Sequence, residues 1–420
     1  MSKLFFNGSF LLLAVLFWLP VLLCIGGAGS REYYSDEKEW HLPAVRQIAA
    51  KWPALDMQIN CFSASPPGYH WMLAGLSSVS GGALPVIRLW NACFGFGVLI
   101  LLYAWISARS EPARAFVLLA PLALSNFIIK SAAWVVTDNA GLLFAVAALL
   151  AALTTPPQTG RSSVWAALTV FTRHIQAWVL APLALSVLLN GPPRRLTRLF
   201  WLVLPLGVLG LLVTAWGGLV PPQWKAANVG MSTCPQAYLL SLSVGFLILL
   251  LPVRYMGAEH VQAEKNWLLA AACGGLLVSL LTVTAYDPSA GRWGGYLWSV
   301  ASKFPNLAER SAFFLLAAPV GAVLWMLLWR GMMREGAGKA GWLWAAALIA
   351  WMVSLVVCRQ VFQRYFEPLI LIFIALAAVL PMTRVPDFGG RWRWSLLCMF
   401  QFLVTILTAV LPVFKGDMAQ

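Results

Sequence analysis

The densest group of side chains that can move protons is the segment Ser35-Asp36-Glu37-Lys38-Glu39-Trp40-His41. A carboxylate that is partly removed from water accepts a proton more readily, and it needs only hydrogen-bond reach of a hydroxyl group to act as a general base. Asp36 and Glu37 are therefore candidate catalytic residues, and His41 is a candidate substrate ligand. A solvated loop is the alternative interpretation of the same charges.

Two further groups of polar residues stand at the start of apolar runs. Arg88 precedes Asn91 by one helical turn, and a cation buried in such a run needs a partner or water. Snorkelling of Arg88 to an interface is the alternative. Asp138 follows Thr137, and either side chain could cap the next helix through its exposed amides. Both Arg88 and Asp138 are candidate substrate-binding residues.

Two later polar segments contain arginines with acidic and aromatic neighbours. The first is Tyr286-Asp287-Pro288-Ser289-Ala290-Gly291-Arg292-Trp293, and the second is Arg359-Gln360-Val361-Phe362-Gln363-Arg364-Tyr365-Phe366-Glu367-Pro368. The planar fork of arginine matches phosphate oxygens, and its charge would stabilise a departing phosphate. We name Asp287, Arg292, Arg364 and Tyr365 as candidate substrate ligands. Ordinary contact of such arginines with lipid headgroups is the alternative.

Composition identifies the elements that must position these residues. The chain has 420 residues, of which 60% are hydrophobic and 10% charged, with a mean hydropathy of +0.78. Soluble domains have about 25% charged residues. Apolar runs of about 20 residues match the thickness of a bilayer when they are helical. Since the alternation typical of a membrane barrel is absent, the sequence predicts an all-α, polytopic integral membrane protein.

We expect about thirteen transmembrane helices in a single domain covering residues 1–420. The first is expected to be a retained helix rather than a cleaved signal peptide. One apolar stretch is broken at Thr172-Arg173-His174, which predicts two shorter helices meeting at a polar turn. Ionisable residues inside a membrane are functional candidates by default, so Arg173 and His174 join the candidate site. The predicted spans are 10–27, 83–107, 115–129, 139–154, 164–173, 175–190, 199–217, 236–252, 267–285, 311–329, 341–357, 366–382 and 394–413.

Topology follows from the lysines and arginines of the short loops, which concentrate on the cytoplasmic side. With the N-terminus inside, the alternation holds if the stretch 164–190 crosses twice. The opposite side then receives one long segment, residues 29–82, in which we expect short helices lying at the interface. The basic residues assigned to the inside are Arg109, Arg114, Arg161, Arg194, Arg195, Arg198, Arg254, Lys265, Arg330, Arg334, Lys339, Arg384, Arg391 and Arg393.

Charge and cysteine content exclude several classes of site. The formal charge of +14 is spread over short loops and forms no stripe or motif typical of nucleic-acid binding. The seven cysteines show no CxxC spacing, and most lie within apolar runs. We therefore expect no nucleic-acid partner, no zinc site and no disulfide framework.

Taken in order, the polar segments resemble the endoplasmic-reticulum alpha-1,2-glucosyltransferases that add the terminal glucose to lipid-linked oligosaccharide from dolichyl-phosphate-glucose. The family's Tyr-Met-Asp-Glu-x-Phe-His-x-Pro, Thr-x-Pro-Gly-x-Tyr and Leu-Arg-x-x-Asn segments resemble, in order, Tyr34-Ser35-Asp36-Glu37 with Trp40-His41-Leu42-Pro43, Ser65-Pro66-Pro67-Gly68-Tyr69 and Ile87-Arg88-Leu89-Trp90-Asn91. Its later segments resemble Val136-Thr137-Asp138, Arg173-His174-Ile175-Gln176, Gly217-Gly218-Leu219-Val220 and Gln363-Arg364-Tyr365-Phe366. The family's Asp-Asn-Arg-His-Tyr loop is reduced to Asp287 and Arg292, and one residue is inserted after Glu37.

The resemblance implies a GT-C-type helix bundle whose catalytic segment lies in the first external loop. It implies an inverting transfer of a hexose, glucose by resemblance, from a polyprenyl-phosphate sugar to a lipid-linked glycan or other extracytoplasmic acceptor. Asp36 would be the general base, while Arg292, Arg364 and Arg173 would hold the lipid phosphate. Glu37 and His41 would orient the acceptor or Asp36, or support the fold. No metal or other cofactor is implied.

The compact loops suit a bacterial or archaeal cytoplasmic membrane, with the site facing outward. In a eukaryote the same topology would place the site in the lumen of the endoplasmic reticulum. Other partners expected are membrane lipids. A transporter or lipid flippase is the main alternative, because such proteins also have many helices and buried cations, and a non-catalytic scaffold is the second. The polar residues gather in loops on one side and no internal repeat is evident, which favours the enzyme.

Overall fold

The computed structural model describes residues 7–27, 33, 35–54, 63–189, 195–292, 294–381 and 391–414. These residues are mostly helical, and the strands among them form one antiparallel pair, β1 (Asn306–Leu307) and β2 (Arg310–Ser311). The chain divides into two compact units. Unit 1 comprises Met1–Lys225 and Cys398–Gln420, and unit 2 comprises Ala226–Leu397. The sequence predicts one domain, and that interpretation stays a prediction.

The α-helices of the described ranges are numbered in chain order. The first twelve are α1 (Gly8–Ile25), α2 (Leu42–Ala49), α3 (Gly68–Val79), α4 (Leu84–Ser107), α5 (Pro112–Ala123), α6 (Asn126–Ala133), α7 (Asp138–Ala152), α8 (Thr159–Thr172), α9 (Leu180–Leu189), α10 (Arg195–Phe200), α11 (Val203–Trp216) and α12 (Lys225–Asn228). The remaining eight are α13 (Cys234–Leu250), α14 (Ala258–Leu280), α15 (Tyr296–Ala301), α16 (Ala312–Arg334), α17 (Gly338–Ser354), α18 (Glu367–Ala377), α19 (Arg391–Thr405) and α20 (Leu411–Phe414).

Several of these helices are suited to a lipid bilayer. By length and composition six could cross one, and α5 with α6 would add a seventh as a bent pair. Three apolar segments are shorter, namely Asp138–Ala152, His174–Leu189 and Cys234–Leu250. The described part of the chain therefore has the mostly helical, apolar architecture expected of a membrane protein. The six are Gly8–Ile25, Leu84–Ser107, Arg198–Trp216, Ala312–Arg334, Gly338–Val357 and Trp392–Phe414.

The predicted span 115–129 falls on two helices, α5 and α6, which are bent by 69° at the break between them. Pro121 lacks the N–H of a helix interior, and Ser125 adopts an extended backbone before α6. The break frees polar groups that must be satisfied. Within unit 1, Thr405 donates from its hydroxyl to the Leu124 carbonyl at 2.7 Å, and Thr408 donates to Asn126 Oδ1 at 2.7 Å.

The predicted interruption near residue 173 is confirmed. Helix α8 ends at Thr172, Arg173 is extended with φ −155° and ψ 90°, and a 3₁₀ helix follows over His174–Val179 before α9. The hydroxyl of Thr172 donates to the Leu168 carbonyl at 2.8 Å. Such back-bonding by threonine weakens a helix end, so a turn at Arg173 costs little.

The segment 29–82 contains short helices, as predicted. In its described part these are a π-helix, Asp36–His41, followed directly by α2 and later by α3. Their position at a membrane interface stays a prediction, and residues 29–32, 34 and 55–62 lie outside the described ranges. A buried apolar cluster joins α2, α3, α4 and the start of α7, and its members are Leu42, Val45, Tyr69, Leu73, Ala74, Ile87, Val135 and Ala140.

Candidate functional site

A buried ion pair anchors the π-helix to α4 within unit 1. Arg88 donates from Nε to Glu37 Oε2 at 2.9 Å and from a terminal nitrogen to Glu37 Oε1 at 2.5 Å. Both side chains are almost fully enclosed, Glu37 being 1% and Arg88 4% exposed. The two-point contact of a planar guanidinium with a carboxylate fixes direction as well as distance.

The same two side chains also hold backbone groups from other segments. The Val135 amide donates to Glu37 Oε2 at 2.8 Å, while Arg88 donates to the carbonyls of Ile25 at 2.6 Å and Gly27 at 3.0 Å. Four stretches that are distant in sequence therefore meet at one ion pair. This geometry favours a positioning role for Glu37 and Arg88 over direct contact with substrate.

Asn91 extends the network one turn further along α4. It is fully buried and donates from Nδ2 to the carbonyls of Ser131, Ala132 and Trp134 at 2.8–3.0 Å. These carbonyls belong to the end of α6, where no intrahelical donor remains. The phenol of Tyr69 donates to Asn91 Oδ1 at 2.8 Å. The pKa of Tyr69 lies well above its usual value, mainly because the phenol is buried and secondly because the negative charges of Glu37 and Asp138 oppose its ionisation.

A second ion pair joins the start of α7 to the turn after α8. Arg173 contacts Asp138 Oδ1 at 2.8 Å and donates to the Thr137 hydroxyl at 2.5 Å. A side-chain cap from Thr137 or Asp138 is a wrong prediction: Thr137 is the N-cap residue without such a bond, and Asp138 is the first helical residue. The Thr137 oxygen accepts from the arginine instead. A Cβ on Gly141 would lie 2.7 Å from Arg173 Cβ, so the arginine needs glycine beneath it.

His41 forms a buried pair with His70, a residue outside the predicted site. His41 Nδ1 lies 2.9 Å from His70 Nε2, and the two rings are nearly parallel at 20°. Burial, followed by repulsion from His41, holds the pKa of His70 well below its usual 6.5. Because one imidazole must donate while the other accepts, at least one of the two facing nitrogens carries no proton.

Asp36 is the first residue of the π-helix and is half-buried beside the enclosed Glu37. The wide i→i+5 turn closes with the Leu42 amide donating to the Glu37 carbonyl. Trp40, on the same short helix, packs edge-on against Trp224 at 4.8 Å between ring centroids. The π-helix is thus held at Glu37, Trp40 and His41, and Lys38 and Glu39 are exposed.

His174 lies directly after Arg173 and has no direct ion pair in the described structure. Its ring meets Trp216 edge-on at 6.4 Å, and its Nδ1 is buried without a hydrogen-bond partner among the described residues. Of the predicted residues in unit 1, the structure therefore joins Glu37 with Arg88 and Asp138 with Arg173. His41 is paired with a residue outside the prediction.

The four predicted residues of unit 2 lie in two short segments of the chain, around Asp287 and around Arg364. Asp287 accepts hydrogen bonds from the amide of Ser289 at 2.9 Å and from its hydroxyl at 2.7 Å. These bonds hold the pKa of Asp287 below its usual value, and the bond from the hydroxyl has the larger effect. Arg292 donates to the Ala285 carbonyl at 3.3 Å. The guanidinium of Arg364 lies 5.4 Å from the ring of Tyr365. Trp293 lies outside the described residues.

Unit 2 also contains a polar group that the sequence analysis misses. Glu367 is fully buried and accepts from the Tyr296 phenol at 2.5 Å and from Gln363 Nε2 at 2.9 Å. Tyr238 donates to Gln363 Oε1 at 3.2 Å. Burial, followed by the charge of Glu367, holds the pKa of Tyr296 well above its usual value. The signal was present as a glutamate directly before Pro368 and an apolar run.

Among the described residues no three histidine, cysteine, aspartate or glutamate side chains lie together in an arrangement that could hold a metal ion. The expectation of a metal-free reaction stays a prediction. Comparison of the chain with models of known protein families, with curated proteins and with solved structures gives no match.

Proposed function

We propose that the chain is a membrane-embedded, inverting glycosyltransferase that moves a hexose from a polyprenyl-phosphate sugar to a lipid-linked glycan or other extracytoplasmic acceptor. The proposed fold is a GT-C-type bundle of about thirteen transmembrane helices. Its catalytic segment is the π-helix that begins with Asp36. Glucose is the first sugar to test, because the sequence resemblance names it.

One observation carries the proposal: residues from five separate motif-like segments make direct contacts within unit 1. The Glu37 segment meets the Arg88 segment, and Tyr69 bonds to Asn91. The Thr137-Asp138 segment meets Arg173. Hydrogen bonds from Val135 to Glu37 and from Asn91 to the Trp134 carbonyl link these contacts together. Convergence of these segments in space is what a common site requires, and it supports the proposal.

The network supports a definite role for Asp36. Glu37 is occupied by Arg88 and Val135, so its carboxylate is a poor candidate to receive a substrate proton. Asp36 is the neighbouring carboxylate on the same short helix, and it is half-buried. A general base must be held in a fixed position relative to its substrate. The buried Glu37–Arg88 ion pair next to Asp36 fixes the short helix that carries Asp36.

In the proposed reaction, an acceptor hydroxyl attacks the anomeric carbon of the donor sugar while Asp36 takes the hydroxyl proton. The new bond joins the acceptor oxygen to the anomeric carbon, and the bond between that carbon and the phosphate oxygen breaks. The electron pair of the broken bond leaves with the polyprenyl phosphate, which departs as an anion. Arg173 is the cation of unit 1 proposed to stabilise that anion, by exchanging Asp138 for phosphate.

The proposed orientation places the first long loop outside the cytoplasm. Basic residues of the short loops then lie inside, as membrane insertion favours. Nucleotide sugars are cytoplasmic, so an enzyme working on the far side needs a donor carried by a lipid. The roles given by resemblance to Asp287, Arg292, Arg364 and Tyr365 remain predictions independent of the network in unit 1.

The experiment is a donor screen with purified protein in liposomes. Radiolabelled glucose on a synthetic polyprenyl phosphate is offered with an extract of membrane lipids, and the mannose, galactose and arabinose donors follow. Formation of a new labelled glycolipid from one donor is expected. Movement of intact donor between leaflets without sugar transfer would favour the flippase over the enzyme. Absence of both transfer and movement would favour the non-catalytic scaffold.

A further inference from the structure

Two arginines share one buried carboxylate where α14 begins and α16 ends. Glu264 is almost fully enclosed; its Oε2 accepts from Arg330 Nε at 2.7 Å, and its Oε1 accepts from a terminal nitrogen of Arg334 at 2.6 Å. Arg330 is half-buried and Arg334 is exposed. One negative charge therefore meets two positive charges, and the excess positive charge lies on the outer side of the cluster. A pair of guanidinium groups at a surface is suited to phosphate.

Both arginines keep donors that the cluster does not use. A guanidinium group has five N–H bonds. Arg330 directs two of them to Glu264, while Arg334 directs one to Glu264 and one to His260 Nδ1, which lies 3.0 Å away. Their other N–H bonds make no hydrogen bond to a described residue, and solvent reaches both side chains. Because the two oxygens of one carboxylate hold the two guanidinium groups, these remaining donors lie side by side.

Indole rings frame the same cluster. The guanidinium of Arg330 lies 5.6 Å from the ring centroid of Trp267 and 5.8 Å from that of Trp329, within the range of cation–π attraction. Trp329 meets Trp342, near the start of α17, edge-on at 5.0 Å. Trp267 and Trp342 are 50% and 49% exposed. Tryptophan is enriched at the level of lipid headgroups, because its ring is apolar and its N–H is polar.

An exposed apolar surface of α14 continues from the cluster. The buried residues of this helix form one narrow stripe, Glu264, Leu268, Gly275 and Ser279. From Leu269 to Leu280 the helix rises about 16 Å, close to the hydrocarbon thickness of one leaflet, about 15 Å. A chain of hydrocarbon lying along this surface would therefore end at the two arginines. The exposed leucines are Leu269, Leu276, Leu277 and Leu280.

We propose that the start of α14, the end of α16 and the start of α17 form a binding site for an anionic phospholipid. The headgroup phosphate accepts hydrogen bonds from Arg330 and Arg334, and an acyl chain lies along the exposed leucines of α14. Glu264 is the positioning residue that holds the two guanidinium groups together. The site is separate from the network in unit 1, and no part of the inference depends on sugar transfer.

The surroundings of the cluster favour an anionic lipid over a zwitterionic one. Lys265 and Lys339 are exposed cations at the same helix ends, while Glu259 is exposed and Glu335 is half-buried. With the central cluster, the described side chains there comprise four cations and three carboxylates, of which Glu264 is enclosed. The positive-inside pattern predicts that these helix ends face the cytoplasm, where anionic lipids are concentrated and where basic pockets between helices bind their headgroups.

The test is native mass spectrometry of the purified chain, titrated with dioleoylphosphatidylglycerol or dioleoylphosphatidylcholine. Wild type should bind one phosphatidylglycerol with a lower Kd than phosphatidylcholine. Arg334→Gln and Arg330→Gln should each raise the Kd for phosphatidylglycerol roughly five- to tenfold, as expected for loss of one arginine at a lipid surface. Arg359→Gln, at an exposed arginine of the same unit, is the matched control and should leave that Kd unchanged. Thermal unfolding checks that each variant is folded.

Three results would overturn the proposal. Equal Kd values for the two lipids, or an equal rise in Arg359→Gln, would show general attraction between charges rather than a site. A dimer that Arg334→Gln dissociates would assign the surface to a second copy of the chain. Displacement of the lipid by glycerol 3-phosphate at the same concentration would show that the headgroup alone binds, since that molecule has no acyl chain.

Discussion

Each unit contains a carboxylate that is almost fully buried and held by arginine, but the two environments differ. In unit 1, Glu37 pairs with Arg88, which is itself 4% exposed, and both side chains bind backbone from other segments. In unit 2, Glu264 pairs with Arg330 and Arg334 at 2.7 and 2.6 Å, and these arginines are 29% and 42% exposed. The unit 2 cluster joins two helices, α14 and α16, whereas the unit 1 pair joins four distant stretches.

The difference separates a charge pair that organises a site from one that joins two helices. Both side chains of the unit 1 pair are buried. Removal of either one therefore lowers the free energy of unfolding strongly, because it leaves a buried charge without compensation. Water reaches the arginines of unit 2, so each can be solvated when its partner is lost. We therefore expect the same kind of substitution to have unequal effects in the two units.

The largest effect is expected from breaking the pair in unit 1. Arg88→Met and Glu37→Gln should each lower the free energy of unfolding by about 3–5 kcal/mol, and the double variant by clearly less than their sum. Denaturation of the detergent-solubilised protein measures this cycle. Glu39→Gln, at an exposed position of the same π-helix, is the control and should change stability by no more than about 0.5 kcal/mol. Strictly additive losses would show that the two side chains do not act together.

A smaller effect is expected from crowding the second pair of unit 1. Gly141→Ala should push Arg173 away from Asp138 and cost about 1–3 kcal/mol, as overpacking does. Gly207→Ala is the matched control on α11, where nothing lies within 4 Å of the added methyl group. Thermal unfolding of both variants measures the difference. Equal stability of Gly141→Ala and the control would contradict the close approach of Gly141 to Arg173.

In unit 2 the expected effect depends on pH. Burial alone would raise the pKa of Glu264, but hydrogen bonds and charge from Arg330, followed by the charge of Arg334, hold it below its usual 4.5. The ionised carboxylate of Glu264 therefore stabilises the folded state above the pKa of the unfolded chain. This stabilisation is lost as the pH falls through the lower pKa of the folded state. Glu264→Gln should cost about 1–2 kcal/mol at neutral pH, between an exposed and a buried pair.

The control for that experiment is Glu259→Gln, at an exposed position of the same helix. Unfolding is measured for wild type and both variants between neutral pH and pH 3. The difference between wild type and Glu264→Gln should shrink as the solution is acidified, while the control follows wild type. A difference that grows on acidification would reverse the sign of the proposed linkage.

The smallest effect is expected at Arg334, the more exposed of the two arginines that contact Glu264. Arg334→Gln should change the free energy of unfolding by about 0–1 kcal/mol, because the side chain is 42% exposed and Arg330 still neutralises Glu264. Chemical denaturation of Arg334→Gln and of Arg88→Met, each measured against wild type, compares the two losses of stability. Equal losses in the two variants would remove the distinction drawn between the units.

Sequence reasoning identified the charges of unit 1 because a charge in an apolar chain has to be paired or solvated. It could not assign the partners, since Glu37 and Arg88 are far apart in sequence and meet only through the fold. The bend between α5 and α6 was missed because hydropathy does not register a local break, although Pro121 and Ser125 marked it. His70 was missed because it stands in an apolar helix without a charged neighbour.

The prediction of a helix cap before α7 failed for a related reason. Local sequence gives Thr137 and Asp138 a helix to cap, but Arg173, which is remote in sequence, binds both side chains. Tertiary contacts of this kind override local preference wherever a buried cation needs oxygen partners. The six long apolar helices followed from apolar runs, and the interruption at Arg173 followed from its polar residues.

The most direct test of the proposed enzyme is single-turnover transfer of labelled sugar by Asp36→Asn, with Glu39→Gln as the control from the exposed side of the same π-helix. The account predicts that Asp36→Asn still binds the polyprenyl-phosphate donor but transfers its sugar about 10²–10⁴-fold more slowly, as expected for loss of a general base. Glu39→Gln should transfer at the wild-type rate. Transfer by Asp36→Asn at the wild-type rate would contradict the assignment of the base.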